Sequence, residues 1–370
     1  MKILLIEPYH TGSHKKWAEG LKKHSSHHVK ILSMKGQFWK WRMHGGAVTL
    51  ANMFNNMDWE PDLILSTDML DLTTFLALTR AKSNGVLTAM YFHENQISYP
   101  WSPRDRDVLN KRDNHYGFIN FASALSADKV FFNSSFHMKT FLYNLKSFLK
   151  NFPDNNEVIT IEEIKNKSNV LYLGLDFSNF KVRSDQKTDT PTILWNHRWE
   201  YDKNPELFFN VLKKLKDKRI DFNLIVIGES FGNSPKIFEK AKIEFKEHII
   251  KWGYQKSIED YIDSLFMSDI IPVTSNHDFF GVSVMEAVFC NVWPILPDRL
   301  SYKELFKDKG YMENIYNDDN LLVEKIEAAI KNIHQIRNQS LKKIAKKYDW
   351  ERLARVYDTE FEKITHKSNL

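Results

Sequence analysis

Cysteine is all but missing from this chain. The one cysteine among its 370 residues, Cys290, sits in the apolar segment 288–293, so no internal disulfide can form and a reducing compartment is the simpler setting. Cys290 itself reads as a small core residue, not a nucleophile. Long apolar runs are missing too. Ile3-Leu-Leu-Ile6 is followed at once by Glu7, too short for a signal peptide, and no stretch approaches the roughly 20 apolar residues of a membrane span. A cytoplasmic setting with no membrane partner follows as the expectation. Zinc-protease spacing is absent, because Glu94 follows His93 but Ile97 stands where the second histidine of H-E-x-x-H belongs. No Asp-x-Asp metal motif stands at a strand end, and neither an internal repeat nor a low-complexity tract occurs. With 42% hydrophobic residues the chain fills two ordinary cores, which excludes disorder.

What is present is a repeating strand and helix rhythm. Residues 2–6, 29–33, 63–66, 86–92 and 129–133 read as short strands separated by helical patterns, the signature of a parallel sheet with helices on both faces. The polar stretch 152–163 reads as an excursion and 184–191 as a linker. From Thr192 the rhythm restarts, with strands at 192–195, 222–227, 249–252 and 270–273. The reading is an α/β chain of two Rossmann-like domains, 1–183 and 190–346, with a C-terminal segment 347–370.

Two clusters carry chemistry. Asp278-Phe-Phe-Gly-Val-Ser-Val-Met-Glu286 sets two carboxylates eight positions apart around a glycine at the mouth of a helix. The first N–H groups of such a helix, near Phe280, Gly281 and Val282, have no internal partners and carry the positive end of its dipole, so they suit a diphosphate. Upstream, Thr192-Ile-Leu-Trp-Asn-His-Arg198-Trp-Glu-Tyr-Asp-Lys203-Asn204-Pro205 runs from strand to loop to helix, with Asn204 as N-cap and Pro205 at the first helical position. Leu207, Phe208, Val211, Leu212 and Leu215 supply that helix's buried face. Arg198 and Lys203 thus lie at the carboxyl end of a strand, where open α/β sheets bind ligands. They can neutralise a leaving diphosphate; the alternative is a surface ion pair with Glu200 or Asp202.

These residues, with Gly228 after a strand and Trp252-Gly253-Tyr254, resemble the retaining family-4 glycosyltransferases of GT-B fold, two Rossmann-like domains facing a central cleft. The segments His10-Thr-Gly-Ser-His14, 38–46, Phe92-His-Glu-Asn-Gln-Ile-Ser-Tyr-Pro100 and Asn196–Lys203 are similar to the subgroup that mannosylates queuosine in tRNA. The resemblance implies a metal-independent transfer from a nucleotide sugar, GDP-mannose in that subgroup, with no cofactor. It implies that Glu286 holds the nucleotide ribose, that Asp278 binds sugar hydroxyls, that Tyr254 lies near the base and that the last helix crosses back to the first domain. The family usually has glutamate where Asp278 stands. An acceptor that is a lipid or polysaccharide, or an RNA-binding protein with a decayed site, are the competing expectations.

In the first domain, His10, Gly12, Ser13 and His14 follow the first strand and His93-Glu94-Asn95-Gln96 follow the fourth. His93 is expected to orient the sugar or accept a proton, Gly12 to approach the donor, and His10, His14, Glu94 and Asn95 to bind the acceptor. For RNA, a net charge of +5 has the right sign. Lys35, Lys40, Arg42 and His44 alternate with Phe38, Trp39 and Trp41, while Arg104, Arg106, Lys111 and Arg112 follow Trp101. Lys40, Arg42 and Trp39 are the expected phosphate and stacking contacts of a queuosine-containing tRNA.

Overall fold

The computed structural model describes residues 1–101, 107, 115–181, 187–230, 234–306 and 312–367. Two compact units result: Met1–Asp176 with Tyr348–Leu370, and Phe177–Lys347. Each is built on a six-stranded sheet whose ladders are parallel.

The first unit runs β1 (Lys2–His10), α1 (Gly12–His24), β2 (His28–Lys35), α2 (Trp39–Asn55), β3 (Leu63–Thr67), α3 (Leu72–Ser83), β4 (Leu87–Phe92), α4 (His115–Ser126), β5 (Lys129–Phe132), α5 (Ser135–Leu149), α6 (Thr160–Asn166) and β6 (Ser168–Val170). Its sheet order is β2-β1-β3-β4-β5-β6. Ile3, Leu4, Leu5 and Ile6 are fully buried, as a central parallel strand covered on both faces requires. The order reverses beside β1, which places the topological switch at the carboxyl ends of β1 and β3. The excursion expected at 152–163 is in part helical, because α6 starts at Thr160 and buries Ile164.

The second unit runs β7 (Thr192–Trp195), α7 (Pro205–Asp217), β8 (Asn223–Ile227), α8 (Ile237–Glu244), β9 (Ile249–Gly253), α9 (Ile258–Met267), β10 (Ile270–Pro272), α10 (Val282–Phe289), β11 (Trp293–Pro297), α11 (Tyr302–Leu305), β12 (Ile315–Tyr316), α12 (Asp319–Lys331), α13 (Ile333–Arg337) and α14 (Lys342–Ala345). Its order, β12-β11-β10-β7-β8-β9, puts the switch between β7 and β10. The start of α7 follows its sequence signals: Asn204 accepts a hydrogen bond from Leu207 N and Pro205 holds the first turn. Phe209, not Leu207, completes the buried face with Phe208, Val211, Leu212 and Leu215.

The last helix, α15 (Trp350–Lys367), belongs to the first unit. Trp350 and Tyr357 are fully buried there; Trp17 Nε1 donates to the Tyr357 hydroxyl over 3.0 Å, and Asp358 accepts from Ser25 and Ser26. No helix among the described residues is long and apolar enough to cross a membrane.

Candidate active site

In the second unit the carboxyl ends of β7 and β10 bring the two sequence clusters together. Lys203 is buried, and its Nζ donates to His277 O over 2.7 Å while lying 3.2 Å from Asp202 and 3.6 Å from Asp278. Burial alone would lower its pKa, but Asp278 and Asp202 outweigh it and raise it, so the ammonium stays charged. Burial pushes Asp278 the other way, yet Lys203, then His197 and His277, hold its carboxyl below the usual range. Asp278 also accepts from Phe280 N and from the Tyr302 hydroxyl, each at 3.3 Å. His197 and His277 are held down to about 4, by burial first and Lys203 second, so both are neutral near pH 7.

Two glycines shape this pocket. Gly281 has φ +95°, a left-handed conformation that turns the chain into α10 and leaves the helix's first amides without internal partners. Gly228, at φ +146°, lies so close to the loop after β7 that a Cβ would stand 2.1 Å from His197 O. That loop is further tied to the end of β8 by Trp199 N donating to Glu229 O over 2.9 Å.

Glu286 is 7% exposed and accepts the Tyr261 hydroxyl proton over 2.6 Å at Oε2. Tyr261, on α9, also lies 3.3 Å from Asn196 Nδ2, which donates to Ser283 O over 2.8 Å. Asn196 Oδ1 and His197 Nε2 are buried atoms with no partner. Such groups are costly unless something else satisfies them, and a ligand at this position would. Phe280 is buried and Val282 half-buried at the helix mouth.

Arg198 stands apart from the buried pair. Its side chain is 47% exposed and its Nη2 is 3.3 Å from Glu200 Oε2, the surface ion pair weighed above as the alternative. Such a pair is worth little and yields easily to a stronger anion. Tyr254 follows β9 and is 65% exposed, making no packing role for its ring.

In the first unit, Glu7, His14, Asp68 and His93 gather at the carboxyl ends of β1, β3 and β4. His14 donates from Nδ1 to Glu7 Oε2 over 3.0 Å, and Tyr9 N donates to Glu7 Oε1 over 2.8 Å. Burial would lower the His14 pKa, but Glu7 raises it to about 9, so the imidazole is a cation. His93 N donates to Asp68 Oδ1 over 2.8 Å, and the His93 and His14 rings lie 4.2 Å apart. Burial, then the His14 charge, keeps His93 far below the ordinary histidine value and neutral. Glu7, His14 and His93 offer ligand atoms within 4.8 Å of one another, a group able to hold a metal ion. Gly12 opens α1 at φ +52° with space around its Cα.

The other expected acceptor contacts are placed differently. Asn95 is wholly buried, and its Oδ1 accepts from Ile97 N and Ser98 N, so it shapes a turn. His10 Nε2 lies 3.3 Å from Glu19. Glu94 is half-buried and accepts from Gln96 Nε2 over 3.0 Å. Lys40 does not present a free charge: it pairs with Asp107 and lies 5.1 Å from the Trp101 ring and 5.5 Å from that of Trp39. Trp39 is half-buried against Tyr116 and Trp101, because it joins the small cluster around Met43 and Met69. The aromatics that reach solvent are Phe38, 75% exposed, and Trp41, 63% exposed; Arg42 donates from Nε to Lys35 O over 3.1 Å. Arg104, Arg106, Lys111 and Arg112 lie outside the described residues.

Sequence reading missed Glu7, Asp68, Tyr261 and Arg299, whose guanidinium donates to Ser275 O and Thr274 O and fixes the loop after β10. Glu7 carried a signal, a carboxylate at the end of a fully buried strand.

Solved structures share this fold. Anabaena HepE in complex with UDP matches with a TM-score of 0.67 at 14% identity, covering 98% of this chain and 100% of that one. Sucrose-phosphate synthase from Thermosynechococcus elongatus matches with a TM-score of 0.71 at 13% identity, covering 99% and 100%. The family described as glycosyl transferases group 1 matches residues 176–348. Fold and match together define a glycosyltransferase of the GT-B class.

Residues 2–175 match the family described as tRNA-queuosine alpha-mannosyltransferase N-terminal. The chain is 34% identical over 334 residues to the tRNA-queuosine alpha-mannosyltransferase of Drosophila melanogaster, covering 88% of this chain and 85% of that protein. It is 24% identical over 301 residues to a probable sucrose-phosphate synthase of Thermosipho melanesiensis, covering 77% and 69%. The chain therefore belongs to the tRNA-queuosine alpha-mannosyltransferase family.

Proposed function

We propose that this protein moves mannose from GDP-mannose to the queuosine of a tRNA anticodon, with retention at the anomeric carbon, in the cytoplasm. The observation that carries the donor side is the buried Lys203 beside Asp278 at the switch of the second sheet, next to the open amides of α10. The diphosphate is held by those amides at Gly281 and Val282, by Lys203, and by Arg198, which leaves Glu200 for it; Phe280 N stays on Asp278. Glu286, fixed by Tyr261, accepts hydrogen bonds from the ribose. Asp278 takes sugar hydroxyls, and its lowered pKa keeps it an acceptor at neutral pH.

Charge developing on the leaving diphosphate is met by Lys203 and the helix amides, with Arg198 joining them, the usual largest contribution to such catalysis. Attack then comes from the face the phosphate leaves, and the departing oxygen takes the acceptor proton, so no protein nucleophile is used. No step asks for a metal ion, since Lys203, Arg198 and the helix terminus supply the positive charge. On the acceptor side the neutral His93 offers a nitrogen to a hydroxyl.

The test is incubation of the protein with radiolabelled GDP-mannose and, separately, UDP-glucose over tRNA with and without queuosine. Label entering only queuosine-containing tRNA, and only from GDP-mannose, is the expected result. Label from UDP-glucose alone, or label independent of queuosine, overturns the reading.

A further inference from the structure

The polar cluster of the first unit holds more acid than base. Glu7 and Asp68 are 0% and 1% exposed, Glu94 is half-buried beside them, and the charges acting on Asp68 are His14, Glu94 and Glu7. His14 is the one cation in that set, and it is already spent on Glu7. Among these groups three carboxylates face one cation.

A second observation points into the same spot. His93 is 7% exposed, and its Nε2 is a buried atom with no hydrogen-bond partner. A nitrogen of the His93 ring lies within 4.8 Å of the ligand atoms of Glu7 and His14. Leaving a buried polar atom unmet is costly, so the site is arranged for something that meets it.

Queuosine brings both. Its ring carries a methylene to a secondary amine, which is protonated near neutral pH as a lysine amine is, and the amine leads to a cyclopentene bearing two hydroxyls. We propose that the cluster is the subsite for this side chain, with Glu94 and Asp68 receiving the secondary ammonium and His93 Nε2 meeting a cyclopentene hydroxyl. The proposal rests on the functional reading above and names what that reading leaves open, the groups that distinguish queuosine from guanosine. A tRNA with plain guanosine leaves the acids and the histidine unmet, and sites of that kind reject the lacking ligand strongly. A divalent metal is the competing cation. Both oxygens of Glu7 are already engaged, by Tyr9 N and His14, and an ammonium at Glu94 and Asp68 leaves both hydrogen bonds in place.

The experiment uses an anticodon stem-loop RNA whose queuosine amine is native, N-methylated, which keeps the charge, or N-acetylated, which removes it. Transfer of mannose is measured with wild type and Glu94→Gln, and GDP affinity of the variant reports that it is folded. Wild type should use the methylated acceptor within a few-fold of the native one and lose about a hundredfold in kcat/KM on the acetylated one, as for a buried charge pair. Glu94→Gln should lose ten- to a hundredfold on the native acceptor and discriminate less between native and acetylated RNA. Equal use of the acetylated acceptor, equal loss on both analogues, or one tightly held metal ion per chain with chelator-sensitive transfer overturns the proposal. Failure of wild type on native queuosine overturns the functional reading itself, and is told apart because the analogue comparison then has no baseline.

Discussion

Tyr261 donates its hydroxyl proton to Glu286 over 2.6 Å, and the two come from neighbouring helices α9 and α10. Burial and the Glu286 charge hold the Tyr261 phenol well above its ordinary value, so the proton stays on the tyrosine and one lobe of Glu286 is fixed. In the proposed function this carboxylate meets the ribose. Glu286→Gln should weaken GDP binding outright, and Tyr261→Phe should weaken it by about tenfold, the scale of one hydrogen bond to a charged group. Calorimetry with GDP checks both; unchanged affinity in both variants removes Glu286 from the donor site.

Asp278 separates from Glu286 in the same assay. Asp278→Asn should leave GDP affinity near wild type and weaken GDP-mannose, since its assigned partners are sugar hydroxyls. Equal loss for the two ligands contradicts that division.

Arg198 and Lys203 should both matter to turnover and differ in stability. Each alanine variant should lose transfer by at least about two orders of magnitude. Arg198→Ala should melt like wild type, because its exposed pair with Glu200 is worth about 0–1 kcal/mol. Lys203→Ala leaves the buried Asp202 and the half-buried Asp278 without their cation and should cost about 3–5 kcal/mol. Thermal melts beside initial rates decide it; a stable Lys203→Ala refutes the buried-pair account.

Buried histidines give the chain a narrow pH window. His14 is raised to about 9, so its contribution is complete below the ordinary 6.5 and is lost as pH climbs through 9. The raised Asp68 works in the same direction, because the folded chain keeps a proton there that the unfolded chain releases. His197 and His277, lowered to about 4, lose their contribution as pH falls from 6.5 toward 4. Denaturant midpoints should therefore peak near neutrality and fall on both sides, and His14→Gln should flatten the alkaline limb. A midpoint that keeps rising toward pH 9 contradicts the Glu7–His14 pair.

The RNA surface is better tested at Trp41 than at Lys40. Lys40→Glu breaks the Asp107 pair and confounds binding with stability, whereas Trp41 is 63% exposed. Trp41→Ala should weaken tRNA binding by about tenfold, the worth of one stacked base, without moving GDP affinity. Filter binding at two salt concentrations should also show affinity falling with salt. Unchanged binding removes this segment from the interface.

Most of the candidate site in the second unit was legible in sequence. Strand, loop and helix-start signals at 192–205 and 270–289 were strong and local, and Asn204, Pro205 and Gly281 occupy the capping positions their chemistry favours. What escaped was short or nonlocal. Ser168–Val170 is three residues with two polar side chains, Ile315–Tyr316 is two residues, and Trp293–Pro297 carries two prolines that mask a strand pattern. Tyr261 reaches Glu286 across 25 positions, and no spacing rule connects them. Trp39 and Trp41 look alike in sequence; only packing against Tyr116 shows which one faces water.

Digestion of queuosine-containing tRNA after reaction with GDP-mannose, with mass spectrometry of the released nucleosides, tests the mannosyl transfer itself. The expected product is a queuosine carrying one added hexose that an α-mannosidase removes. A hexose resistant to α-mannosidase, a hexose on another nucleoside, or queuosine left unmodified by active, folded protein would contradict it.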